Sequence, residues 1–443
     1  MRSSILARVT AVVAISVLGA ALAASSGAAG PPSRPEGTGQ ASSYIVVLKD
    51  EVNDPRAVAD EHARSYGSRV AFVYTDALKG YAATMSEQAA ANIARDPRVA
   101  WVEPDKVVTA FAQTLPTGIN RIDADSSTQL AGNGVGSVSG PAVAVIDTGI
   151  DLDHPDLNVI ASTNCSGGSP FKKKCGTGGD DDNGHGSHVA GTIGAKDDSQ
   201  GAVGVAPGVP LVAVKVLDKN GSGYTSWIVA GIDWVAANAA KYNIKVANMS
   251  LGGSGSDDGN CGNSNNDSEH KAICNLVKIK GVTLVVAAGN SAKDFSGSVP
   301  AAYNEAITVT AVADFNGLPG GGAPSICRSD VDDTAADFSN WAVSTSDQDH
   351  TIAAPGVCIY STWKTGGYNT ISGTSMASPH VAGTVVLCLS SLTCSGTPSD
   401  ILVKLRADAA AADLTNAYGF TEDPNSSPVS GRYFGYLEYA GGY

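Results

Sequence analysis

The sequence predicts an α/β protein, a parallel sheet with helices on both faces, preceded by a small α+β unit. Two observations lead there. Short, uninterrupted apolar runs recur at 142–146, 211–216, 246–249, 283–287 and 307–311, and helical patterns alternate with them at 188–194, 226–242 and 269–280. Strands that are apolar on both sides need cover on both sides, as parallel sheets receive from their crossover helices. Residues 43–110 have a different grain: strands at 44–48, 70–74 and 99–102 are interleaved with helices at 55–66 and 86–96 in a length suited to one small sheet.

The remaining segments fall into place around these two units. Residues 1–24 carry Arg2 and Arg8, then an apolar run over 9–23 that closes on Ala21, Leu22 and Ala23. This is the pattern of a secretory signal peptide, and its apolar run is shorter than the ~20 residues a membrane span requires. Residues 25–42, rich in Ser, Gly, Ala and Pro, read as a linker, and 111–443 as the large domain. Acidic residues outnumber basic ones 43 to 29, for a formal charge of −14. That balance opposes binding to nucleic acid or to an anionic membrane surface. The eight cysteines all lie in the large domain. In a secreted chain they imply disulfides, and short loops close most cheaply, so the expected pairs are Cys165 with Cys175, Cys261 with Cys274, Cys327 with Cys358 and Cys388 with Cys394. No Cys-x-x-Cys pair or mixed Cys/His cluster occurs, so no zinc site is expected.

Chemistry concentrates in three segments. In 372–383, Ser375 sits where a loop of small residues turns into an apolar helical run. Gly373 and Ala377 leave access to the hydroxyl, and the helix start points N–H groups at developing negative charge. A serine is a weak nucleophile unless a base and an orienting acid accompany it. Asp147 ends the apolar run 142–146, and His185 stands in a glycine-rich loop that leads into a helix. Singly, Asp147 reads as a helix cap and His185 as a buried, hydrogen-bonded imidazole; together with Ser375 they form an acid, base and nucleophile set.

The order Asp147, His185, Ser375 and the three surrounding motifs resemble the subtilisin-like serine peptidases, over roughly residues 43–390. Ser187 departs from the family pattern, which has threonine there, but it keeps the hydroxyl. The resemblance implies a secreted, monomeric serine endopeptidase acting on proteins or peptides, with no cofactor required for the chemistry. It makes Asn290 the side-chain donor of an oxyanion hole. It also implies a substrate cleft gripped by Gly221, Ser222 and Gly223 on one side and by Ser250, Leu251 and Gly252 on the other. Gly252, Ala287 and Ala288 would line a roomy, uncharged pocket, and Gly289 belongs to the same substrate-binding set. His188 is given a structural part.

The segment 43–110, with Gly80-Tyr81-Ala82-Ala83 and Val102-Glu103-Pro104-Asp105, resembles the inhibitory propeptide of these peptidases, which implies an intramolecular inhibitor released by a cut between Ala110 and Phe111. Structural calcium is common in the family, and Asp180, Asp181 and Asp182, or Asp330, Asp332 and Asp333, offer ligands, although a solvated acidic loop reads equally well. An esterase with a nucleophile elbow would have glycine where this chain has Ala377. A binding module that had lost its chemistry would lack one of the three groups.

Overall fold

The computed structural model describes residues 42–105, 113–167, 175–416 and 418–443. The expected signal peptide, nearly all of the linker and the Ala110–Phe111 junction lie outside them. The chain divides into two compact units, Met1–Thr109 and Ala110–Tyr443.

The smaller unit runs β1 (Ser42–Leu48), α1 (Pro55–Tyr66), β2 (Arg69–Tyr74), β3 (Gly80–Met85), α2 (Glu87–Ile93) and β4 (Val99–Pro104). Its antiparallel sheet has the order β2-β3-β1-β4. Asp54 caps α1 by accepting from the Ala57 N–H, Pro55 opens the helix, and Gly67 closes it in the left-handed region. Val46, Leu48, Val58, Tyr81, Met85 and Ile93 close the core. Sequence reading did not assign β3, although this strand lies between β1 and β2. Glycine and alanine give 80–83 little strand propensity; what makes it a strand is close packing, since a Cβ on Gly80 would fall 2.3 Å from the Val46 carbonyl oxygen.

The larger unit begins with α3 (Thr117–Arg121), β5 (Ala142–Asp147), β6 (Val159–Asn164), α4 (His185–Gly194), β7 (Leu211–Lys215), α5 (Thr225–Tyr242), β8 (Ile244–Met249), β9 (Gly253–Ser254), α6 (Ser268–Cys274) and β10 (Thr283–Ala287). It continues with β11 (Ser298–Val299), β12 (Ala306–Ala313), β13 (Thr334–Ala335), α7 (Thr345–Gln348), β14 (Thr351–Pro355), β15 (Ile359–Trp363), β16 (Gly367–Ile371), α8 (Thr374–Ser390) and α9 (Pro398–Asn416). The main sheet has the order β13-β12-β10-β8-β5-β7-β6, with β14 also on β12. Every pairing in it is parallel except that of the two-residue β13. Successive residues of β5 alternate between two cores: Val143 and Val145 pack with Val189 and Val381 on one face, while Ala142, Ala144 and Ile146 pack with Ile232 and Val235 on the other. This is the predicted double cover.

Besides α3, α7, α9, the two-residue strands and the β15–β16 hairpin, which the sequence reading does not assign, two strands of the main sheet and one helix differ from it. β6 mixes polar and apolar residues, and β14 ends in Pro355, a residue that disqualifies a central strand; both lie at sheet edges, where such sequences are tolerated. The helix expected over 269–280 stops at Cys274 and continues as a wider π turn, Asn275–Ile279. All eight cysteines are paired as the short-loop argument expects.

Candidate active site

The chain enters the sheet at β5, adds β6 and β7 on one side, then β8, β10 and β12 on the other. The carboxyl ends of β5 and β8 therefore border the crevice where such sheets bind ligands. Asp147 is the last residue of β5, and Ser250 and Leu251 follow β8 directly. His185 is the first residue of α4, and Ser375 the second residue of α8.

His185 Nδ1 donates to Asp147 Oδ1 at 2.8 Å. A carboxylate oxygen only accepts, so the contact fixes the proton on Nδ1 and leaves Nε2 as the free lone pair. Asp147 is fully buried and its Oδ1 also accepts from the Thr148 N–H at 2.7 Å. Burial by itself pushes the His185 imidazole down, but the adjacent Asp147 charge, its hydrogen bond and the Asp181 charge outweigh burial and raise it above the ordinary value.

The loop before His185 is shaped by Asp181, whose importance sequence reading missed. Its Oδ1 accepts from Thr148 Oγ1 and from the Asn183 and Gly184 N–H groups, and its Oδ2 from the Ser187 N–H and hydroxyl. Ser187 thus supplies the hydroxyl that a threonine would have supplied. Both Asp181 oxygens are taken up by protein donors, and Asp182 pairs with Lys215 Nζ at 2.6 Å. The second acidic group is likewise committed to protein donors: Asp330 to Arg328 and the Asp337 N–H, Asp332 to the Phe315 and Ala323 N–H groups, and Asp333 to Arg121 and the Gly321 N–H.

The Ser375 hydroxyl donates to the Ser250 carbonyl at 3.2 Å, while the Ser250 hydroxyl donates to the Ser375 carbonyl at 2.8 Å. Asn248 Nδ2 donates to the Ser250 hydroxyl, so a buried amide at the end of β8 anchors the start of α8. Asn290 lies three residues beyond β10 and is oriented by Thr374, another residue sequence reading overlooked. Its Oδ1 accepts from both the N–H and the hydroxyl of Thr374, each at 2.8 Å. Because a backbone N–H can only donate, the amide oxygen must face Thr374 and Nδ2 must face away. A Cβ placed on Gly373 would lie 3.4 Å from Asn290 Nδ2 and 3.6 Å from the Ser375 nitrogen. Both nitrogens therefore lie close to one point beside the serine.

Gly289, φ 103°, makes the turn into Asn290, and a Cβ there would strike Asn340 Nδ2 at 2.5 Å. Asn340 holds this turn through the Ala288 carbonyl and the Ser291 N–H. Beside it a cavity of about 340 Å³ is lined by Leu251, Gly252, Ala287 to Asn290, Lys293, Val299, Thr374 and Ser375. Lys293, an exposed residue whose backbone N–H donates to Asn340 Oδ1, is also among the lining. A second cavity of about 390 Å³ adjoins Gly221, Ser222, Gly223, His185, Ser250, Leu251 and Gly252. Leu251 and Gly252 line both, so the residues expected to form one cleft do converge. His188 lies fully buried, donating through Nε2 to the Ile359 carbonyl at 2.9 Å, and burial lowers it to about 3.

Residues 138–421 match the Subtilase family, and 43–111 match Peptidase inhibitor I9. Subtilisin E of Bacillus subtilis is 37% identical over 350 residues, covering 78% of each chain. A cuticle-degrading serine protease of Arthrobotrys oligospora is 33% identical over 430 residues, covering 90% of this chain and 95% of that one. Among solved structures, a cold adapted subtilisin-like serine proteinase matches with a TM-score of 0.51 and 31% identity, over 73% of this chain and 97% of the other.

Proposed function

Because the chain belongs to the Subtilase family and is a subtilisin-like serine protease with an I9 propeptide domain, we propose that it is a secreted endopeptidase whose nucleophile is Ser375, whose base is His185 and whose orienting acid is Asp147. The observation that carries this reading is the His185 imidazole held through Nδ1 by a buried carboxylate, with Nε2 left free. Ser375 turns from the Ser250 carbonyl toward His185, gives its proton to Nε2 and attacks the scissile carbonyl. The oxyanion that forms lies between the Ser375 N–H and Asn290 Nδ2, which supports its charge more than it supports the ground-state carbonyl. Protonated His185 then delivers its proton to the leaving amine. A water molecule, deprotonated in the same way, releases the acyl group from Ser375.

The substrate backbone lies extended between 221–223 and 250–252, where glycine permits close approach. The residue before the scissile bond enters the pocket beside Ala287, Ala288 and Gly289. The signal peptide and disulfide-paired cysteines support secretion. A serine-directed phosphonyl fluoride should label Ser375 stoichiometrically and abolish casein breakdown. Labelling elsewhere, or casein breakdown that survives labelling, would reject this assignment.

The precursor cuts itself between Ala110 and Phe111, and the 43–110 segment remains as a product-like inhibitor. The uncharged stretch Val107-Val108-Thr109-Ala110 supports this reading, because it ends in a small residue that the pocket can accept. Tethering gives the segment an effective concentration on the order of millimolar, favouring the intramolecular cut. No helix among the described residues is long and apolar enough to cross a membrane.

A further inference from the structure

We propose a structural site for a zinc-class divalent ion at Asp257, Asp258 and His270, away from the proposed catalytic groups. His270 is fully buried, and its Nε2 lies 2.9 Å from Glu305 Oε2. Glu305 accepts, so Nε2 carries the proton and Nδ1 presents its lone pair. That Nδ1 has no hydrogen-bond partner, and it points at Asp258 Oδ1 and Asp257 Oδ1, at 3.3 and 3.5 Å. A second proton on Nδ1 would make short, charge-assisted bonds of ~2.7–2.9 Å, and these contacts are longer and misaligned. Without a cation, three electron-rich atoms face one another, with a fully buried imidazole between two partly buried carboxylates.

The spacing matches metal coordination. Ligands bound to zinc at ~2.0–2.2 Å in a tetrahedron stand about 3.4 Å apart, which brackets the two distances here. One imidazole nitrogen with two carboxylate oxygens suits zinc better than calcium, which takes oxygen ligands. Glu305 then fills the part of the outer carboxylate that sets the tautomer of a ligating histidine, and Lys278 Nζ holds Glu305 in turn at 2.7 Å. The remaining contacts fix the carboxylates. Asp258 accepts from the N–H groups of Asn260, Gly262, Ser264 and Asn265, and Asp257 from Gly259 and Asn304. Tyr303 stacks flat on the His270 ring with centroids 4.1 Å apart. Cys261 and Cys274 are joined to each other and are not ligands. The ion would tie the loop that leaves β9, at the wall of the substrate cavity, to α6.

The test uses the untagged Ser375→Ala precursor, which avoids autolysis, freed of metal with a chelator and then titrated with zinc chloride. We expect a single equivalent to bind at micromolar concentration or tighter, with a rise in melting temperature. Asp257→Asn, at a partly exposed position, and His270→Gln should each weaken binding at least ~10-fold and lose that rise. Circular dichroism confirms that the chains compared are folded, and the Asp257 variant decides the matter where the buried His270 variant does not fold. A folded parent that binds no zinc, or an Asp257→Asn chain that binds it as tightly as the parent, would overturn the site. Displacement of zinc by millimolar calcium would overturn the assignment of ion class.

Discussion

At the scale of single residues, the proposed mechanism separates groups that make the reaction possible from groups that accelerate it. Ser375→Ala should abolish peptide hydrolysis. Asn290→Ala removes a donor used chiefly in the transition state, so KM should hold while kcat falls ~100-fold or more. Steady-state kinetics on one peptide substrate distinguishes the two, and near-normal turnover in the Asn290 variant would remove that residue from the mechanism. His185 must be neutral to act as base, and its imidazole lies above its ordinary value of 6.5. The acid limb of the kcat/KM profile should therefore fall above pH 6.5, leaving activity highest on the alkaline side. In Asp147→Asn the loss of negative charge should move that limb to lower pH while activity drops. A limb that stays in place would show that Asp147 does not set the His185 titration.

At the scale of elements, the site depends on how two helix starts are pinned to strand ends. Asp181 joins the turn before α4 to Thr148 at the end of β5, and Asn248 with Ser250 joins the end of β8 to α8. Asp181→Asn would set an amide donor against N–H groups that already need an acceptor, at a cost of about 3 kcal/mol. Urea denaturation of the Ser375→Ala precursor should register that loss, and with Ser375 intact the same change should lower kcat by displacing His185. Unchanged stability would show that the cradle has another acceptor.

At the scale of the whole molecule, the large unit carries buried acids that the chemistry does not use. Asp314 is buried, accepts from the Gly317 N–H through Oδ1, and has Oδ2 unpartnered at 3.6 Å from Arg121 Nε. Burial, assisted by the charges of Asp333 and Asp332, outweighs Arg121 and raises it from 3.8 to about 7. An acid whose folded value is raised favours the folded state only while protonated. Its contribution is present below pH 3.8 and is lost as pH rises through about 7. Asp314→Asn should therefore gain stability relative to the parent across that window, by ~2 to 4 kcal/mol at neutral pH, in denaturant titrations of the Ser375→Ala precursor. A difference independent of pH would contradict this.

Maturation belongs to the same scale. The Ser375→Ala precursor, purified alone, should stay uncut, and a separate 43–110 fragment should inhibit the mature enzyme at micromolar concentration. Maturation without Ser375 would end the self-cleavage proposal, and an inert fragment would end the inhibitor proposal.

The sequence by itself determined the double cover of the sheet, because apolar runs without alternation admit few other environments, and it marked Asp147, His185 and Ser375 through local patterns. It also carried the disulfide pairs, since short loops restrict the choice. Tertiary structure decided whatever depends on partners distant in the chain. β3 became a strand because β1 and β2 pair with it on both sides, and the nearness of the β1 backbone is what requires glycine at 80. Asp181, legible only as one acid in a run of three, became the organiser of the His185 turn because Thr148 and Ser187 were folded against it. Thr374 fixed the face that Asn290 presents. Asp257 and Asp258 face His270 only because the loop after β9 folds back on α6, and a linear pattern of residue types holds no record of that distance.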